Sequence, residues 1–187
     1  MVAAGAALAD EIGFNELTMG RLAERLGVRA PSLYKHIAGQ DDLHRRIAAL
    51  AFDEAGVAIG TAIQGRAGRD ALAAAAGALR DFVLTHPGRY AATLGLTPSG
   101  PDDPVMLAGR RGIGPFAAVL QGYDIPPQEM THALRAVRSV FHGFASLQAS
   151  GGFQWSTDIG ESFEYLIDLV DRGLRSAAGT DPADHPR

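Results

Sequence analysis

Residues 17–40 read LTMGRLAERLGVRAPSLYKHIAGQ, and the spacing within them predicts two short helices around a tight turn. In the first, Leu22, Ala23 and Leu26 supply an inward face while Arg21, Glu24 and Arg25 face out, the period of an amphipathic helix. Thr18 is placed to cap its start and Gly27 to end it. Pro31 suits the first turn of the second helix, where a missing backbone N–H costs nothing, and Leu33 is that helix's buried anchor. Two helices this short do not stand alone in water, so further helices must surround them.

The second helix carries Ser32, Tyr34, Lys35 and His36 just after Arg29. A guanidinium can fork onto a guanine edge, hydroxyls can bond phosphate oxygens, and a helix N-terminus adds a field that favours an anion. This is the chemistry of the recognition helix of a helix-turn-helix in a major groove. The other reading of the same residues is an ordinary helical hairpin with a polar outer face.

The run from Leu17 to Leu43, with LTM, LAERLGV, PSLYKHI and DDL in order, resembles the N-terminal DNA-binding domain of the TetR family of transcriptional regulators. The resemblance implies base-edge contacts at Arg29, Ala30 and Pro31, and phosphate contacts at Thr18, Ser32, Tyr34, Lys35 and His36. It also implies an all-α fold, with an N-terminal three-helix helix-turn-helix domain followed by a C-terminal helical ligand-binding and dimerisation domain. Two positions depart from the family pattern. Gln40 stands where the family often has a lysine paired with phosphate, and Ile37 replaces an aromatic ring. Backbone affinity is therefore expected to lean on Lys35, with Arg45 and Arg46 contributing if they face the duplex.

Composition sets the outer bounds. With 187 residues, 47% of them hydrophobic, the chain can bury one or two modest helical cores, and disorder is excluded as its overall state. It has no cysteine, which removes disulfides, thiolate metal sites and a cysteine nucleophile. No apolar run approaches the roughly 20 residues of a membrane span, and no signal peptide pattern is present, so a cytoplasmic protein without a membrane partner is expected. The net charge is −4, yet residues 1–50 hold six basic and six acidic groups and balance to zero. DNA binding would then depend on where a few charges sit, with a salt dependence set by few phosphate contacts.

Taken in order, an alanine-rich first helix from Val2 to Glu11, anchored by Leu8 and Ile12, stops at Gly13. It begins almost at Met1, so no basic arm is expected in the given sequence, and the resemblance implies additional upstream residues. Asp41 and Asp42 suit the first turn of a fourth helix that continues through Leu43, Ile47, Leu50 and Val57, a natural lever between the two parts. The expected organisation is a helix-turn-helix domain over 1–45, an effector-binding and dimerisation domain over 46–180 and a flexible tail over 181–187. Asp70 is placed to cap the next helix, and His86, before Pro87, should break it. TPSGPDDP, residues 97–104, should form an exposed turn. From Val105 to Leu120 a glycine cluster surrounds Pro115, which should kink or restart the helix. The cluster suits either a cavity wall or helices packed closely through small residues.

RAVRSVFHGFASLQASGGF, residues 135–153, with ESFEYLIDLVDRGL, residues 161–174, resembles the C-terminal ligand-binding and dimerisation domain of TetR regulators with a Trp-His-Gly motif. Phe141 takes the tryptophan position before His142 and Gly143. The resemblance implies a homodimer on palindromic double-stranded DNA, released by a small-molecule effector. Met106, Phe116, Phe141, His142, Phe144 and Trp155 are the candidates for the effector pocket. Leu134, Val137, Phe163, Ile167, Val170 and Leu174 are the candidates for the dimer contact, unless both stripes are buried within one chain. His142 fits a structural hydrogen bond, an effector contact or a metal ligand, but no pair of residues makes a tight metal motif. No phosphate loop, nucleophile elbow or dinucleotide pattern occurs, so neither a catalytic role, a metal nor a cofactor is expected. The readings left open are a repressor, an activator of the same fold, and a helical dimer that binds a protein partner.

Overall fold

A computed structural model describes residues 1–97, 100 and 102–178. Among these, every regular element is helical. The helices are α1 (Val2–Ile12), α2 (Met19–Arg25), α3 (Ala30–Leu33), α4 (Gln40–Ala62), α5 (Gly68–Thr85), α6 (Pro87–Ala92), α7 (Pro104–Gln121), α8 (Met130–Ala149) and α9 (Ile159–Ala178). A single 3-10 turn, Phe14–Glu16, joins α1 to α2. The expected tail, 181–187, and Pro98, Ser99 and Pro101 of the expected turn lie outside the described residues.

The chain divides into two compact units, one of residues 1–57 and 81–112, the other of 58–80 and 113–187. The first unit takes in α6 because that helix packs on α1 within a shared interior. Gly88 of α6 meets the backbone of α1 so closely that a Cβ there would overlap the Ala9 carbonyl. Asp10 secures the contact by accepting the Arg89 N–H at 2.8 Å, while Arg89 Nη1 donates to Glu54 at 3.0 Å.

The first unit's core is built from the apolar positions that the periodicity picks out. Leu17, Leu22, Leu33, Ile37, Leu43 and Ile47 are all buried in one cluster. Ile37 therefore fills an interior slot without an aromatic ring. Gly112 of α7 serves close packing in this unit: a Cβ on Gly112 would stand 2.9 Å from the Phe52 carbonyl, and one on Gly56 of α4 would stand 3.1 Å from Gly112. Pro115 does not restart α7, which runs unbroken from Pro104 to Gln121 although the ring deletes one backbone bond. The fifth helix begins at Gly68, ahead of Asp70, which lies inside its first turn and is not its cap.

In the second unit, Phe141 stacks on Phe116 at 6.3 Å and meets the edge of Phe163 at 6.1 Å. Tyr123 donates to Asp171 at 2.6 Å, and Asp171 also accepts from Arg175 at 2.9 Å. The neighbouring guanidinium keeps the Asp171 carboxyl below its ordinary range against the opposing effect of burial, while burial and Asp171 push the Tyr123 phenol up. Arg69 bridges Asp168 at 2.7 Å and Glu164 at 2.9 Å, tying the start of α5 to α9.

Candidate nucleic-acid interface

The turn between α2 and α3 is fixed by backbone chemistry. Thr18 Oγ1 accepts the Arg21 N–H at 3.2 Å and starts α2. At its end, Gly27 adopts φ +65°, which lets Gly27 N–H reach the Glu24 carbonyl and Val28 N–H reach the Ala23 carbonyl, each at 3.0 Å. This pair of bonds is a Schellman ending, and it reverses the chain within a few residues. Arg29 then caps α3, whose first turn holds Pro31, while Leu33 plugs into the core.

The helical part of α3 is shorter than the sequence predicts. It closes at Leu33, and Tyr34, Lys35 and His36 follow in a turn, with His36 and Ile37 N–H groups both bonded to the Leu33 carbonyl. Burial of Leu33 and Ile37 on either side leaves those three residues outermost. Tyr34 is 55% exposed, and Thr18, Arg29, Pro31, Lys35 and His36 are exposed as well. Ala30 and Ser32 are half-buried. Ser32 Oγ donates to the Arg29 carbonyl at 2.6 Å, so a phosphate contact by that hydroxyl requires its proton to leave this local bond.

Charge pairing separates the basic groups of residues 1–50. Arg21 pairs with Glu16 at 3.2 Å, Arg25 with Glu11 at 2.5 Å, Arg46 with Asp42 at 2.9 Å, and Arg45 with the buried Asp103. Arg29 and Lys35 make no ion pair among the described residues. The two unneutralised cations of this segment thus flank α3, so a balanced total charge still leaves a locally positive face. Arg45 and Arg46 are engaged within the protein. Gln40 likewise faces inward and bonds the backbone at Leu17 and Met19. Sequence reasoning missed that role, because only the fold brings residue 40 beside residues 17 and 19.

Of the candidates for an effector pocket, Met106 belongs to the first unit, while Phe116, Phe141, His142, Phe144 and Trp155 belong to the second. Trp155 is 88% exposed. Phe116 and Phe141 fill the core, and Phe144 packs on Phe153 at 4.7 Å and Phe163 at 5.0 Å. The Arg80 guanidinium covers the Phe163 ring at 4.7 Å and Arg80 Nε donates to Gln148 at 2.7 Å. His142 lies 3.2 Å from Ser146 Oγ, and burial, with Arg138 adding to it, lowers its pKa and favours the neutral ring. Among the described residues no three potential ligands form a metal cluster, and no helix is long and apolar enough to cross a membrane.

A groove of about 530 Å³ runs between α8 and α9, bordered by Ala133, Ala136, Val140, Val170 and Gly173. Of the residues expected at a dimer contact, Val137, Phe163, Ile167 and Leu174 are buried within the chain, while Leu134 and Val170 are half-buried. The face these helices leave uncovered is displaced around the helix axis. It carries Ala136, Val140, Gly143 and Leu147 on α8 and Leu166, Leu169, Val170 and Gly173 on α9, with no charged residue in either stripe. Leu147 and Leu169 are 51% and 50% exposed.

Comparison with known proteins accounts for this arrangement. Residues 1–47 match the family described as bacterial regulatory proteins, tetR family, and residues 72–170 match the tetracyclin repressor-like C-terminal domain. An uncharacterised HTH-type transcriptional regulator of Mycobacterium tuberculosis, Rv0681, is 36% identical over 171 residues, covering 91% of this chain and 75% of its own. The uncharacterised HTH-type regulator YobS of Bacillus subtilis is 30% identical over 179 residues, covering 93% and 90%. A TetR variant from Acinetobacter baumannii AYE, crystallised in complex with minocycline, shares the fold with a TM-score of 0.72 at 23% identity, covering 96% of each chain. With its helix-turn-helix face in place and both parts matched, the chain belongs to the TetR family and is a DNA-binding transcriptional regulator.

Proposed function

We propose that the protein is a homodimeric repressor that binds a palindromic operator and leaves it when a small molecule binds the C-terminal part. The observation that carries the DNA-binding half is the pairing of charges: Arg29 and Lys35 remain unneutralised on the α3 face while Arg21, Arg25, Arg45 and Arg46 are matched by carboxylates. In this reading Arg29 contacts base edges beside Ala30 and Pro31, and Tyr34, Lys35, His36, Thr18 and Ser32 contact phosphates. The uncharged stripes of α8 and α9 favour a second copy as their cover, because association there removes apolar surface from water and strands no charge. Two copies would present α3 to successive major grooves about 34 Å apart.

The support for effector control is the minocycline complex of the Acinetobacter protein, whose fold this chain shares. A ligand releases DNA in proportion to its preference for the non-binding arrangement. The fourth helix, which carries residues of both units, is the element best suited to transmit that preference. The sign of regulation follows from the operator's position relative to its promoter.

Selection from a random duplex library at fixed moderate salt, followed by titration of the recovered site, tests the proposal. A palindrome with half-sites about one helical turn apart is the expected result. Absence of any enriched sequence from a folded, dimeric preparation would overturn it.

A further inference from the structure

Gln40, the first residue of α4, closes a bridge across the start of α2. Its Oε1 accepts the Met19 N–H at 3.0 Å, its Nε2 donates to the Leu17 carbonyl at 2.5 Å, and the same Nε2 lies 2.5 Å from His44 Nε2. The orientation of the amide is dictated by these partners. A backbone N–H only donates and a carbonyl only accepts, so the flipped amide would set donor against donor and acceptor against acceptor. With the NH2 group turned to His44, the imidazole Nε2 must offer a lone pair, and the ring proton resides on Nδ1. The His44 ring is itself held against Phe14, with centroids 4.4 Å apart.

Leu17 and Met19 are buried on either side of Thr18, the exposed N-cap of α2. The bridge therefore fixes both peptide neighbours of the residue that faces solvent. The Met19 N–H is one of the orphan donors of the first turn, and a helix of seven residues has few other bonds with which to hold its end.

Resting on the DNA-binding assignment above, we propose that Gln40 and His44 form a positioning pair: His44 orients the Gln40 amide, and Gln40 holds Thr18 and the start of α2 in their DNA-facing place without touching DNA.

The test is a titration of the full chain against the selected duplex over a salt series at about pH 8, for the wild type, Gln40→Ala and His44→Phe. Gln40→Ala should weaken binding about tenfold, the effect of two lost hydrogen bonds, with an unchanged salt slope. The ring in His44→Phe keeps an aromatic face against Phe14 but has neither ring nitrogen, so about a threefold loss is expected. A salt slope reduced by about one in Gln40→Ala would make Gln40 a phosphate contact and overturn the proposal. Wild-type affinity in His44→Phe would overturn the role of His44. Amide exchange of Met19 in the DNA-free protein separates failure of the bridge from failure of the DNA assignment. Faster exchange in Gln40→Ala supports the bridge, and equal exchange removes it.

Discussion

The α3 face and the α8/α9 face are both surfaces that the folded chain leaves unfinished, and they are unfinished in opposite ways. Around α3 the interior is complete, with Leu33 and Ile37 buried, and what remains outward is charge without a partner at Arg29 and Lys35. On α8 and α9 the charges lie outside the stripes, and what remains outward is uncharged surface at Val140, Leu147, Leu166 and Leu169. The first surface suits a polyanion, whose counterions are released as cations approach. The second suits a surface like itself. The difference teaches that function here is better located by what folding leaves unmatched than by the total of either residue class.

Attacking the uncharged face should have the largest consequence. Replacing Val140 and Leu169 together by glutamate places like charges in a self-contacting surface. Sedimentation should then report monomers, and operator affinity should fall roughly 10²- to 10⁴-fold as the two half-sites lose their linkage. A monomer that binds the operator as well as the wild type would break the comparison. Next, Arg29→Ala should cost about 1–3 kcal/mol on the selected site and relax the preference at one base position, whereas Lys35→Ala should weaken all sequences alike and lower the salt slope by about 1. Equal losses on selected and random duplex for Arg29→Ala would remove the base-reading role. A smaller effect, about 0.5–1.5 kcal/mol in a competition titration, is expected for Tyr34→Phe through loss of one hydroxyl bond. Smallest of all, Arg25→Gln should change DNA affinity by less than about twofold, because that guanidinium is already held by Glu11.

Much of the first unit was legible in the sequence because its signals are local. The Thr18 cap, the Gly27 ending and the Leu22 and Leu33 anchors each depend on residues within one turn of one another. The shorter α3 was not legible, since a polar aromatic and basic run does not mark where a helix yields to a turn. The bridge at Gln40 spans 21 and 23 residues of sequence and had no local signal. In the second unit the periodicity of α9 correctly identified an apolar stripe, but Phe163, Ile167 and Leu174 face the chain's own interior. Leu166 and Leu169, one step around the helix, carry the uncovered surface. A periodic pattern identifies a face without identifying its occupant, and on a helix with two apolar faces that distinction decides the answer.

The meeting of Gly88 with Ala9 has a mechanical consequence. Most helix contacts are cushioned by side chains, which absorb a small displacement by changing rotamer. Here two main chains touch directly, with no side chain on the α6 side to yield. Within the first unit this makes the joint stiff: a fraction of an ångström of travel at the start of α6 passes to α1 nearly undiminished, as through a bearing with no play.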